Sequence, residues 1–342
     1  MLAVASLLGL DRHEVTGGHP ECQERLHAAV DGLRWGVPDE MISTLTVTPA
    51  PADALRRVHD ATYLAVAERA CQRGIRALDP DTPISHGSWD TAVLAAGAGL
   101  DTVAAIDAGQ ARRGFVLARP PGHHATPNRA MGFCLINNVA VTAGALRARG
   151  ERVLIVDWDV HHGNGTQDIF WNEPGVLFVS IHQAPPQYPG TGTVHETGGQ
   201  EAAGRTINVP LPPGATGDAF RQAVDEVVAP AAAAFDPTWL LISAGFDAHR
   251  EDPLADLMLT SADYGDLTRR LLALVPSASG VVAFLEGGYD LQALHDSVGV
   301  TAAALAGLDA ASDPAPEPRS SGGPGHEAVL AALRAHEAAV QG

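Results

Sequence analysis

Short unbroken apolar runs alternate with longer stretches in which apolar residues recur every three or four positions, and the alternation continues for most of the chain. Runs of the first kind read as strands buried on both faces, and stretches of the second as helices laid over them. The predicted strands are Phe115 to Ala118, Arg152 to Val156, Val176 to Ile181, Thr238 to Ser243 and Val281 to Leu285, with the opening MLAVASLLGL as one more buried strand. Helices are expected at Asp90 to Ala108, Asn137 to Arg149, Ala219 to Phe235 and Ser261 to Leu274. Strand and helix in turn, without a fixed repeat, specify a single α/β domain with a mainly parallel sheet, expected over residues 1–308. Residues 309–325, DAASDPAPEPRSSGGPG, read as a flexible connection, and residues 326–342 as a C-terminal amphipathic helix.

Polar chemistry collects where the apolar runs end. ARPPGHHA, DWDVHHGNG, SIHQ, SAGFDAH and EGGYD follow the five predicted strands in that order. Ligands of parallel sheets bind just beyond the carboxyl ends of the strands, so these five segments are expected to converge on one pocket.

Composition narrows the partners. Hydrophobic residues make up 46% of the 342 residues and charged residues 18%, enough apolar material for a large core and too much for intrinsic disorder. The formal net charge is −18 and all 22 basic residues are Arg, which argues against a nucleic-acid partner. The same field would attract a cationic small molecule or a Lys-rich peptide, although solubility alone also accounts for it. Cys22, Cys71 and Cys134 form no CxxC pair and are odd in number, which argues against a disulfide scaffold or a thiolate zinc site and fits a reducing cytoplasm. The opening run lacks a basic flank and a cleavage-type site, and no run reaches ~18 apolar residues, so no membrane partner is expected.

Asp157, Asp159 and His161 stand at alternate positions and can point to one side as the strand gives way to its loop. Asp and His in that spacing suit Zn²⁺ or Fe²⁺, with Asp247 as the third ligand and a fourth position left for water or substrate. His123 and His124 follow a rigid Pro-Pro-Gly turn, and two adjacent buried imidazoles need partners. Asp157 offers a carboxylate, which makes an imidazole more basic, and Asn164 a neutral amide, which orients without that charge. Tyr289 follows two glycines and can place a phenol where an oxyanion develops. Metal, imidazole base and phenolic donor together describe attack of water on an acyl carbonyl, that is, amide or ester hydrolysis.

RPPGHHA, GFCLINN, VDWDVHHGNGTQDIF, AGFDAH and EGGYD, with GGHPECQERL near the start, together resemble the histone deacetylase superfamily, which includes bacterial deacetylase-like amidohydrolases and acetylpolyamine amidohydrolases. The resemblance runs from about residue 10 to about residue 300, and the HHGNGTQ form is similar to the class II branch, where class I usually carries Asp at the position of Asn164. It implies the arginase–deacetylase fold, one domain with a parallel sheet of about eight strands. It implies zinc on Asp159, His161 and Asp247, Tyr289 as oxyanion donor, His124 as the main general base and then acid, and His123 as electrostatic support, with Asp157 and Asn164 behind the pair. A structural K⁺ is carried over to Asp157, Asp159, His161, Ser180 and Ile181. Phe133 and Tyr188 match the aromatic walls of an acyl-lysine tunnel, with Gly132 and Gly288 beside them, Asp81 at the rim, and Leu254 where animal polyamine deacetylases carry a Glu gatekeeper.

The expected activity is therefore zinc-dependent deacylation of N-acyl-lysine side chains or related acylated amines. An acetylpolyamine amidohydrolase is the alternative enzyme. A non-catalytic acyl-lysine binding module is the other class, and its expected mark, loss of a metal ligand or of Tyr289, is absent. Homo-oligomerisation is left open, since bacterial polyamine enzymes build selectivity from dimer loops.

Overall fold

Apolar runs with no polar alternation become strands with no exposed side chain: Val153–Asp157 and Trp239–Ala244 are buried at every position. The computed structural model describes residues 1–15, 17–275, 278, 280–309 and 317–341. Its strands are β1 (Leu2–Ser6), β2 (Ile42–Thr44), β3 (Ala77–Asp79), β4 (Thr82–Pro83), β5 (Arg113–Leu117), β6 (Val153–Asp157), β7 (Val176–Gln183), β8 (Thr206–Leu211), β9 (Trp239–Ala244) and β10 (Gly280–Leu285). The helices are α1 (Glu24–Gly36), α2 (Ala52–Leu55), α3 (Ala61–Gln72), α4 (Ser88–Asp107), α5 (Asn138–Arg147), α6 (Asn164–Phe170), α7 (Gly217–Ala223), α8 (Ala229–Phe235), α9 (Ser261–Leu274), α10 (Leu291–Ala306) and α11 (His326–Gln341).

One sheet of eight strands runs in the order β2-β1-β5-β10-β9-β6-β7-β8, and all its pairings are parallel. Helices flank it, and the chain forms a single α/β domain. Register sets the level of the site. Asp157 pairs with Ser180 on one side and Ser243 on the other, and Leu285 pairs with Ala244, so β6, β9 and β10 deliver their following loops at one height, while β7 runs on beyond Ser180 to Gln183.

The five inner strands read from apolar runs appear within two residues of their expected ends, the opening run is a strand only from Leu2 to Ser6, and β2, β8 and the small β3–β4 hairpin were not anticipated. β8 carries Asn208 and Pro210 and lies at the sheet's edge, where a missing N–H is tolerated. The helix expected at Ala219 to Phe235 is interrupted: α7 passes into a π turn at Val224–Val228 before α8. Pro230, in the first turn of α8, has no N–H for the usual bond to the preceding turn, and the wider turn accommodates that loss.

Residues 310–316 of the connection expected to be flexible lie outside the described residues. The described part of it is tied down. Ser320 donates to Asp263 Oδ2 from both its hydroxyl (2.6 Å) and its N–H (3.0 Å), the Gly322 N–H donates to Asp218 Oδ2 (2.8 Å), and Glu317 pairs with His249 (3.3 Å) and Arg250. Short Ser and Gly side chains let the backbone itself reach those carboxylates. Beyond it α11 buries Val329 and Ala332 and lies against β8 and α7, so it packs on the same domain.

α1 and α10 approach backbone to backbone. A Cβ at Gly32 would stand 2.0 Å from the His295 carbonyl oxygen, and one at Gly36 2.1 Å from that of Gly299. Gly36→Ala should therefore force the two helices apart and cost about 1–3 kcal/mol, the usual range for overpacking. The measurement is the denaturation midpoint, and an unchanged midpoint would show that the helix pair has room to spare.

Candidate active site

Beyond β6 each carboxylate accepts the N–H two residues on. The Asp159 N–H donates to Asp157 Oδ1 (3.1 Å) and the His161 N–H to Asp159 Oδ1 (2.9 Å). These two successive turns hold the Asp-x-Asp-x-His run in place by its own backbone. Asp247, after β9, accepts the Val160 N–H at Oδ1 (2.9 Å), and the Gly287 N–H, after β10, donates to Asp159 Oδ2 (2.8 Å). Gly287 has to be glycine: a Cβ there would lie 2.0 Å from Asp247 Oδ2.

Asp159, His161 and Asp247 are all buried, and one ligand atom from each lies within 4.8 Å of the others. Asp247 Oδ2 is buried without a hydrogen bond, although His161 Nδ1 is 3.2 Å away. An orphaned carboxylate oxygen in the interior is costly unless a cation faces it. Burial alone would lower the pKa of His161, yet the close approach and charges of Asp159 and Asp247 push it up to about 10. The negative field and the O, N, O donor set fit a divalent cation.

The two imidazoles have unlike partners. His123 Nδ1 is 3.0 Å from Asp157 Oδ2, and His124 Nδ1 is 2.7 Å from Asn164 Oδ1. Burial lowers both, but the charges of Asp159 and Asp157 outweigh it at His123 and hold that ring well above the usual histidine range. His124 has no such support: burial, then the neighbouring His123 and His161, hold it well below. The ring centroids are 4.0 Å apart. Glu286, wholly buried at the end of β10, accepts the N–H groups of Gly122 (2.7 Å) and His123 (3.1 Å) and the Ser243 hydroxyl (3.2 Å), which fixes the turn carrying both imidazoles.

Tyr289 is seated by a buried ion network. Arg25 donates to the carbonyl oxygens of Gly288 and Glu286, both at 2.6 Å, and its guanidinium lies over the Tyr289 ring, 4.8 Å from the centroid. Glu21 joins Arg25 (3.0 Å) to Arg119 (2.5 Å), which also reaches Asp11. Burial keeps the Tyr289 phenol well above its usual pKa, so it is a proton-bearing donor at neutral pH. A cavity of about 230 Å³ opens above these groups, lined by Asp81, His124, Gly132, Phe133, His161, Gln187, Tyr188, Leu254 and Tyr289. Phe133 meets the Tyr289 ring edge-on at 5.9 Å, and Tyr188 meets His124 at 5.1 Å.

Fold and site together are those of a hydrolase of the deacetylase kind, built on a parallel α/β sheet. The chain belongs to the histone deacetylase family, whose Histone deacetylase domain model matches residues 19–305. It is 39% identical over 313 residues to a probable deacetylase of Archaeoglobus fulgidus, covering 90% of this chain and 86% of that one. It is 39% identical over 279 residues to a histone deacetylase-like amidohydrolase of Pseudomonas aeruginosa, covering 79% and 71%. The crystal structure of the HDA15 HD domain superposes with a TM-score of 0.88 at 35% identity, covering 98% of this chain and 95% of that chain.

The structure thus brings His123, His124, Asp157, Asp159, His161, Asn164, Asp247 and Tyr289 to one place, with Phe133, Gly132, Tyr188, Leu254 and Asp81 around the cavity. Gly288, at φ 116°, precedes Tyr289 in the same turn. Ser180 and Ile181 are buried in β7 beside Asp157, and the Ser180 hydroxyl is 2.9 Å from His182 Nδ1. Glu286, Arg25, Glu21 and Arg119 were not anticipated in these supporting roles, nor Gln187 in the cavity lining.

If Asp247 Oδ2 faces a cation, added Zn²⁺ should raise the melting temperature of the native protein, with about one equivalent retained on dialysis by elemental analysis. Asp247→Ala should lose both effects. Equal retention by the two proteins would remove Asp247 from the ligand set.

Proposed function

We propose that the protein is a zinc-dependent amidohydrolase that removes acyl groups from N-acyl-lysine side chains or related acylated amines. The observation that carries this reading is the orphaned Asp247 oxygen, 3.2 Å from the Nδ1 of His161, which lines the cavity together with His124 and Tyr289. Zn²⁺ on Asp159, His161 and Asp247, with Fe²⁺ as the other metal those donors suit, would supply Lewis-acid polarisation at the acyl carbonyl and at water. His124, held neutral, accepts the proton of the attacking water and returns it to the leaving amine. His123, paired with Asp157, stays cationic and supports negative charge nearby. The Tyr289 phenol donates to the oxygen that becomes an oxyanion.

Phe133, Tyr188 and Leu254 give the cavity apolar walls suited to a methylene chain, with Asp81 at its lining as a polar group for the substrate's backbone. K⁺ near Asp157, Asp159, His161, Ser180 and Ile181 would be structural. Three free cysteines suit a reducing compartment, and the reading places the enzyme in the cytoplasm. Among the described residues no helix is long and apolar enough to cross a membrane. Acetylated polyamines are the second substrate reading, favoured by the net charge of −18.

The deciding experiment is a kcat/KM profile of the zinc-loaded protein over acetyl-lysine peptides, longer acyl-lysines, trifluoroacetyl-lysine and acetylated polyamines. Because uncharged Leu254 lines the cavity, acyl-lysine peptides should exceed N8-acetylspermidine by about tenfold or more, the discrimination a missing charge partner gives. A strong preference for acetylspermidine would replace this reading with the polyamine one.

The partner of His124 makes a separate prediction. Asn164→Asp puts a carboxylate 2.7 Å from Nδ1 where a neutral amide now sits, which favours the imidazolium. The base form is then lost at higher pH, so the acidic limb of kcat/KM should move upward by about one pH unit or more. Superimposable profiles would mean that another group is the titrating base.

A further inference from the structure

We propose that Asp252 is a positioning residue whose two carboxylate oxygens hold the oxyanion donor Tyr289 and the rim residue Leu254 in one fixed relation across the cavity. The proposal rests on the hydrolase reading given above, because it assigns Asp252 a role through Tyr289. Asp252 is 6% exposed. Its Oδ2 accepts the Tyr289 N–H at 2.6 Å and the Asp290 N–H at 3.4 Å, while Oδ1 accepts the Leu254 N–H at 3.0 Å. Leu254 and Tyr289 both line the cavity, so a single carboxylate joins its rim to its catalytic donor.

Both tethered segments lie outside helix and strand. Tyr289 stands between Gly288, at φ 116°, and Asp290, the N-cap of α10 whose side chain accepts the Ala293 N–H. Arg25 covers the ring and holds the Gly288 carbonyl, which shares one planar peptide with the Tyr289 N–H, so Asp252 is the second anchor of that peptide, on its N–H side, and a small rotation there is amplified at the far end of the phenol. On the other side the Leu254 carbonyl accepts from Gln187 Nε2 at 2.9 Å, so Asp252 and Gln187 pin that residue by its two backbone groups. A residue selected only for packing would not be a carboxylate here: burial, then the charge of Asp247, push its pKa up to about 7. The cost of keeping it is offset by three backbone donors that a neutral side chain could not all satisfy. Asparagine would keep one acceptor oxygen and turn an NH₂ group toward an N–H.

The test is a double-mutant cycle with an independent structural readout. Wild type, Asp252→Asn, Tyr289→Phe and the double variant are compared for kcat and KM on one acetyl-lysine peptide, with zinc content measured in each. Asp252→Asn should lower kcat about tenfold or more with zinc retained, since a misplaced reacting group costs that much. In the Tyr289→Phe background the same change should lower kcat less than about twofold further, because the phenol it positions is already gone. Fully additive losses would overturn the proposal. Hydrogen exchange judges it without turnover and without the variant: in wild type the Leu254 and Tyr289 amides should be slow despite lying in loops, and fast exchange at both would overturn it. In Asp252→Asn, peptides spanning 252–256 and 286–292 should exchange faster while α9 is unchanged. Absence of hydrolysis by wild type on every acyl amide would sink the hydrolase reading, whereas the exchange measurements would still report on the tether.

Discussion

Glu21, Asp157, Asp159, Asp247, Asp252 and Glu286 are all buried around the carboxyl ends of the sheet, and the desolvation of these carboxylates is the constraint to which the surrounding loops conform. A buried carboxylate is costly unless its oxygens are met by donors or cations. Each loop supplies them from its own backbone. Gly122 and His123 serve Glu286, Asp159 serves Asp157, His161 and Gly287 serve Asp159, Val160 serves Asp247, and Leu254 and Tyr289 serve Asp252. Arg25 and Arg119 pair with Glu21, and Arg119 and His13 hold its carboxyl well below the ordinary range against its burial. The loops are therefore shaped by where acids sit, and the oxygen left over, Asp247 Oδ2, belongs to the group of buried donors that could hold a metal ion.

This arrangement needs a scaffold that brings strand ends to one level. The parallel sheet does so because β6, β9 and β10 are held in register, and their burial on both faces makes that register hard to slip. A one-residue shift would turn Asp157 toward the other face and break its contact with His123. The cost of burying acids and the apolar burial of the strands beneath them are thus coupled: the first is tolerable only because the second is rigid.

The chemistry-bearing residues were legible in the sequence because their types are out of place where they stand. Asp157, Asp159, His161, Asp247 and the His123–His124 pair each follow an apolar strand, and few structural purposes put His and Asp there. Most of their supporting residues leave no such mark. Glu286 acts through the N–H groups of Gly122 and His123, and any residue can offer an N–H. Glu21 and Arg119 stand within GGHPECQERL and RPPGHHA, but their pairing spans 98 positions and neither segment marks it. Ser180 and Ile181 entered only through the resemblance, since backbone ligation carries no residue signature. β8 was missed because Pro210 and Asn208 speak against a strand, and only its place at the edge permits them.

The two imidazoles show how the same fold separates two proton affinities. His123 and His124 are neighbours in sequence, equally buried, and in ring contact, so neither exposure nor chain position distinguishes them. What differs is the charge around them: His123 has the Asp157 carboxylate behind it and Asp159 3.8 Å from its Nε2, and His124 has an amide behind it. The carboxylates raise His123, and the cation so formed joins burial in depressing His124. The pair therefore reinforces its own asymmetry, one ring kept charged and the other kept free to take a proton, which is the division of labour a general base beside an electrostatic support requires.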